Sequence, residues 1–184
     1  MMKKLLPLLL CLLLLTGCAP KAESLDIFAM DTYMSLVAIG DEAFDTLQKS
    51  ANIVNSLEQS MSRTIDSSDV AQLNATGSAE LGYDTAVLLE EAIALSEATL
   101  GCFDVTIAPL VALWNISGDN PRVPAQEEID ALLPLVGSEH IHLSGGNAAL
   151  DEGCAIDLGG IAKGFASDRI AQLYHESDLS GGVV

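Results

Sequence analysis

Along this chain, long stretches place apolar residues at helical spacing, and short ones alternate apolar with polar residues, so the pattern predicts helices mixed with strands. From Tyr33 to Ile39 the alternation reads as a strand leaving the segment Met30-Asp31-Thr32. A helix then starts at Asp41, carries Phe44, Leu47, Ala51, Val54 and Leu57 on one face, and stops near Ser60 to Arg63. The polar run Asp66-Ser67-Ser68-Asp69 predicts a turn capping a short helical piece that ends at Leu73-Asn74. Its two aspartates lack the glycine and distal glutamate of a calcium loop, which favours capping.

A second helix is predicted from an N-cap at Asp84 to about Thr99, with Leu88, Ala92 and Leu95 on one face and Gly101 closing it. The apolar run Cys102 to Trp114 follows, holding one acid, Asp104. Pro124 with Glu127, Glu128 and Ile129 starts a third helix that ends before Gly137. Ile141 to Leu143 and Ala149 to Leu150 bracket Ser144-Gly145-Gly146-Asn147 as a hairpin, which feeds a short buried strand at Cys154 to Leu158. Last comes a helix with Ile161, Phe165, Ala166, Ile170 and Leu173 at helical spacing. The order is mixed, without a regular βαβ repeat, which argues for an α+β fold.

The amino terminus changes the picture of where the chain works. Lys3 and Lys4 precede an apolar run from Leu5 to Leu15, interrupted only by Pro7, with the layout of a secretory signal and too little length for a permanent membrane span. It ends in Leu15-Thr16-Gly17-Cys18, the small-residue-then-cysteine pattern of a bacterial lipoprotein signal. Residues 1–17 are therefore expected to be a signal peptide, Cys18 a lipidated anchor, residues 18–25 a tether and residues 26–184 the folded part. Two or three acyl chains hold such a protein stably on a membrane, facing the periplasm or cell exterior.

The formal net charge of the 184 residues is −18, and removing Lys3 and Lys4 with the signal makes the remainder more acidic. Such a surface repels nucleic acid and anionic headgroups, so the expected partners are proteins or small molecules, and an anionic ligand needs a cation to bridge it.

The segment Asp157-Leu158-Gly159-Gly160-Ile161-Ala162-Lys163-Gly164 joins an acidic strand end to a glycine turn and a helix carrying lysine. Paired glycines let backbone approach a ligand, and free amides at a helix start face an anion, so this junction can hold a phosphate and a divalent metal together. A glycine turn that merely packs a helix on a sheet is the alternative. Walker A needs its lysine after the glycine, whereas Lys163 precedes Gly164, and GxGxxG is absent.

Other candidates stay open at this level. Asp104 could orient a ligand or cap a turn. His140 and His142 share one strand face, but no third ligand lies beside them, and a solvated face is the favoured reading. Cys102 and Cys154 could pair or stay as small buried hydrophobes. There is no GxSxG nucleophile elbow and no HExxH helix.

Taken in order, the lipoprotein signal, Met30-Asp31-Thr32, Met61-Ser62-Arg63 leading to Leu73-Asn74, Gly101 to Thr106 with Pro109-Leu110 and Leu113-Trp114, and Asp157 to Gly164 resemble the ApbE-type flavin transferases. The resemblance covers about Asp26 to Val184 and implies an α+β, T-fold-like core with an antiparallel-rich sheet. It implies an FAD:protein FMN transferase, which uses Mg2+ to cleave FAD at its pyrophosphate, moves FMN onto a Thr or Ser of an acceptor flavoprotein, and releases AMP. Acceptors would be subunits of membrane redox complexes or extracytoplasmic flavoproteins. By the same resemblance Met30, Cys102, Phe103, Asp104, Asp157 and Lys163 contact FAD, and the Gly160 carbonyl ligates magnesium; no catalytic residue is assigned. Thr64 stands where the family often has a tyrosine packing on FAD, and Asp31 replaces a usual glycine.

Family members also continue well past residue 184, so the chain is expected to be the N-terminal part of such a protein, with half a site and its activity open. The alternatives are a non-catalytic FAD-binding lipoprotein, an FAD pyrophosphatase that releases AMP without an acceptor, and a solute-binding or scaffold lipoprotein without flavin affinity.

Overall fold

A computed structural model of the chain describes residues 21–184 apart from Ser117. The fold is built on two small antiparallel sheets and the helices packed on them. Strands β1 (Ala22–Ala29) and β2 (Thr32–Ile39) form a hairpin, and β6 (Gly181–Val183) pairs with the other edge of β2. Strands β3 (Ser78–Glu80), β4 (Ile141–Ser144) and β5 (Asn147–Leu150) form the second sheet, with β5 in the middle. The helices are α1 (Ala43–Met61), α2 (Asp69–Thr76), α3 (Tyr83–Ala98), α4 (Ala108–Trp114), α5 (Gln126–Leu132) and α6 (Ala162–Glu176). Among the described residues, no helix is long and apolar enough to cross a membrane.

β1 is a departure from expectation, since Ala22 to Leu25 belong to a strand and not to a tether. Leu25 and Ile27 alternate with polar neighbours and pack on the core beneath the first sheet, which is the pattern of a half-buried strand. Two residues, Met30 and Asp31, connect β1 to β2, both at positive φ (51° and 56°). This is the demand of a type I′ hairpin turn, and it explains why a glycine would suit position 31.

α1 joins the two cores. Ala43, Leu47 and Val54 pack with Ala29, Leu36, Ala38 and Ile170 under the first sheet. Leu57 and Met61, further along, enter the larger cluster with Val70, Leu73, Leu88, Leu89, Ile156, Leu158 and Phe165. The buried stripe also takes in Thr46 and Ser50, while Phe44, expected inside, is 61 % exposed. The helical period is as expected, but contact with both cores turns the buried face about one residue away from Phe44.

α2 is capped as its sequence predicts, with the Ser68 hydroxyl accepting from the Ala71 N–H at 2.9 Å. α3 instead follows Gly82, and Asp84 turns aside to pair with Arg169 of α6 at 2.5 Å. Its buried face is Leu88, Leu89, Ala92 and Ser96, while Leu95 is 38 % exposed. The β4–β5 hairpin forms where predicted, with Ser144 opposite Asn147.

The segment Cys154 to Leu158 is not a strand. Cys154, Ile156 and Leu158 are buried alternately, as in a strand, but no ladder forms. Asn74 replaces it, donating to the Ile156 carbonyl and accepting from the Ile156 N–H, each at 2.8 Å, and the Asp157 N–H donates to the Val105 carbonyl at 2.7 Å. A side-chain amide thus satisfies backbone that a neighbouring strand would otherwise have to pair.

Candidate functional site

The site lies where this extended segment meets α6. One Asp157 carboxylate oxygen accepts from the Gly159 N–H at 2.8 Å, which folds the glycine turn, and the other takes the Arg63 Nε at 2.9 Å. The Leu158 carbonyl accepts from Ile161 and Ala162 N–H, starting α6 without a side-chain cap. Lys163, in the first turn, is exposed, and its Nζ reaches the Gly159 carbonyl at 3.3 Å. That contact is long, so the ammonium is available to a ligand. Arg63 and Lys163 are two of the chain's eight basic residues, and they flank one loop of a strongly acidic chain. An anion would find its favourable potential here.

Facing the loop is the turn after α3. Gly101, Cys102, Phe103 and Asp104, with Ile107, Val111 and Val136, enclose a cleft of about 400 Å³ against Asp157, Gly159 and Gly160. A β-carbon on Gly160 would stand 3.3 Å from the Phe103 ring, so the missing side chain lets the ring lie close to the loop. A smaller cleft of about 250 Å³ runs between Thr32 to Leu36 of β2 and Lys163, Ala166, Ser167 and Ile170 of α6.

The structure thus brings Cys102, Phe103, Asp104, Asp157 and Gly160 together around one cleft, and sets Lys163 beside it at the second. Met30 lines neither; it packs against the larger core from the β1–β2 turn, with its N–H donating to Glu58 Oε1 at 2.7 Å.

Asp104 caps a turn. Its carboxylate accepts from the Thr106 N–H at 2.8 Å, the Thr106 hydroxyl at 2.6 Å and the Ser96 hydroxyl at 2.7 Å. Burial works to raise its pKa, but these bonds outweigh it and hold the carboxyl below its ordinary value. It lines the cleft as a fixed anion.

The donor set does not make a magnesium site by itself. Among the described residues, no group of three His, Cys, Asp or Glu could hold a metal ion, and Asp157 is engaged by Arg63 and Gly159. The Gly160 carbonyl is one hard oxygen, where magnesium takes six ligands. His140 Nδ1 and His142 Nε2 grip the two oxygens of Asp151 at 2.9 and 2.7 Å, which makes the pair a clasp on the second sheet. Cys102 is exposed, Cys154 is buried, and both are free thiols. The anchor expected at Cys18 lies outside the described residues.

Two site residues went unassigned at the sequence level, Glu58 and Arg63. Arg63 stood in the Met61-Ser62-Arg63 segment, but no local pattern shows that its partner is Asp157.

Residues 30–184 match the ApbE family. An FAD:protein FMN transferase of Vibrio cholerae is 31% identical over an alignment of 198 positions, covering 100% of this chain and 58% of that protein. One from Treponema pallidum is 31% identical over 154 positions, covering 78% of this chain and 42% of that protein. The crystal structure of the ApbE protein from Thermotoga maritima superposes with a TM-score of 0.79 at 29% identity, over 86% of this chain and 54% of that one. The chain therefore spans about half the length of the relatives it matches. With the same α+β architecture and a family match over most of its length, this chain belongs to the ApbE family.

Proposed function

We propose that the protein transfers FMN from FAD to a Thr or Ser of an acceptor flavoprotein, releasing AMP in a magnesium-dependent reaction. The observation that carries this is the junction at Asp157 to Lys163: a glycine turn held open by Arg63, a lysine on the first turn of α6, and an aromatic-walled cleft directly opposite. Lys163 would meet the pyrophosphate, and Phe103 with the apolar Ile107 and Val111 would lie against a ring system. Magnesium, when bound, would withdraw charge from the pyrophosphate; the Gly160 carbonyl is the ligand this stretch offers.

The test is to incubate the protein with FAD and Mg2+, with and without an acceptor flavoprotein, and to follow AMP by chromatography and protein-bound flavin by fluorescence on a denaturing gel. AMP appearing together with a fluorescent acceptor is the expected result. AMP without any acceptor would make the protein an FAD pyrophosphatase, bound FAD without AMP a flavin-binding protein, and no flavin affinity a different kind of lipoprotein.

We also propose that the protein is exported and lipid-anchored through Cys18, on the strength of Lys3, Lys4, the apolar run and the Leu15 to Cys18 segment. Palmitate labelling that persists in Cys18→Ala would overturn this.

A further inference from the structure

We infer that Glu58 and Arg63 are positioning residues that hold the two walls of the flavin site, an inference that rests on the flavin assignment proposed above. Both belong to one end of α1, Glu58 in its last turn and Arg63 just past its C-cap, Ser62.

The first wall is β2, whose Thr32 to Leu36 line the smaller cleft, and the β1–β2 turn fixes where that strand begins. Met30 sits in the left-handed region, where methionine is disfavoured, and Asp31 follows it there. The bond from the Met30 N–H to the Glu58 carboxylate offsets that cost, since a charged acceptor makes it stronger than a neutral amide bond. The second wall is the glycine turn. Arg63 holds one oxygen of Asp157, leaving the other aimed at the Gly159 N–H. Both Arg63 and Asp157 are largely shielded, with side chains 35% and 20% exposed, so the pair is less screened than a surface one.

α1 is itself fixed at this end. Leu57 and Met61 are 2% and 4% exposed in the larger core, and the Ser62 N–H closes the helix on the Glu58 carbonyl at 3.0 Å. One rigid stretch of helix therefore grips the turn bearing Met30 on one side and the loop bearing Gly159 and Gly160 on the other.

The experiment compares Glu58→Ala with Glu58→Gln, and Arg63→Ala with Arg63→Lys. FAD affinity is read from flavin fluorescence, and amide hydrogen exchange at Met30 and Gly159 is read without ligand. Glu58→Ala is expected to weaken FAD binding about tenfold and to unprotect the Met30 amide, while Glu58→Gln, which can still accept the bond, stays within about threefold of wild type. Arg63→Ala is expected to do the same at Gly159, with partial recovery in Arg63→Lys. Adding Asp31→Gly, which lowers the cost of the turn, keeps the comparison decisive if Glu58→Ala is too unstable. Alanine variants that bind FAD as the wild type does, or that keep both amides protected, overturn the inference. A wild-type protein that binds no FAD defeats the flavin assignment instead, and amide exchange then decides alone whether Glu58 and Arg63 hold these turns.

Discussion

Arg63 and Asp157 lie 2.9 Å apart, and their ion pair ties the exit of α1 to the entrance of α6. Asp157 is thereby an orienting group for the glycine turn, spending one oxygen on the guanidinium and one on the Gly159 N–H. Asp157→Asn is expected to keep the turn, since an amide oxygen can still accept from Gly159, but to leave Arg63 unpaired. Arg63 is unpaired in Asp157→Ala as well, but only asparagine keeps the bond to Gly159, so FAD affinity should fall less in Asp157→Asn than in Asp157→Ala. Flavin fluorescence titrations of the two variants check this ordering.

Lys163 makes a single long contact with the Gly159 carbonyl. Lys163→Ala should change stability by no more than about 0.5 kcal/mol, as expected of an exposed side chain. The same variant should weaken FAD binding about tenfold and flatten its salt dependence, because a charge facing the pyrophosphate is gone. Denaturant melts and titrations at two salt concentrations measure both effects.

Asn74 is a different case, because it bonds both backbone groups of the fully buried Ile156. Asn74→Ala should cost about 2 to 4 kcal/mol, since two polar groups lose their partners away from water. Urea denaturation provides the test, and Asn74→Asp, which can accept but not donate, should fall between the two.

His140 and Asp151 make stability depend on pH. The bond to Asp151 raises the His140 pKa, and the bonds from His140 and His142 lower that of Asp151. The raised histidine contributes stability below its unfolded pKa and loses it as pH rises through the folded value; the lowered aspartate contributes above its unfolded pKa and loses it as pH falls through its folded value. The clasp is therefore strongest between roughly pH 4 and pH 6.5, the two ordinary values. Melts across this range should show added stability near pH 5.5 relative to pH 8, and Asp151→Asn should remove the difference.

The two free thiols should react unequally. Cys102 is exposed on the cleft, whereas Cys154 is buried, and burial followed by the nearby Asp151 charge pushes its thiol pKa up. Alkylation mapped by peptide mass spectrometry should label Cys102 first, with Cys154 labelled only on unfolding. Bound FAD should slow the Cys102 reaction.

Local pattern was enough to place α1, α2, α3, the β4–β5 hairpin and α6, because helical period, turn residues and caps act within a few positions of one another. The glycine turn and Lys163 were legible for the same reason. The rotation of α1 away from Phe44, and Asp84 pairing with Arg169 instead of capping α3, depend on which neighbours arrive across the fold. So does the fate of Cys154 to Leu158, whose alternation matches a strand while Asn74 and Val105 take its backbone bonds. Arg63 on Asp157 and Glu58 on Met30 join residues distant in the chain, and no spacing rule connects them. Short-range periodicity reflects the geometry of one helix or strand, whereas the walls of the cleft are set by contacts that exist only after those elements have packed together.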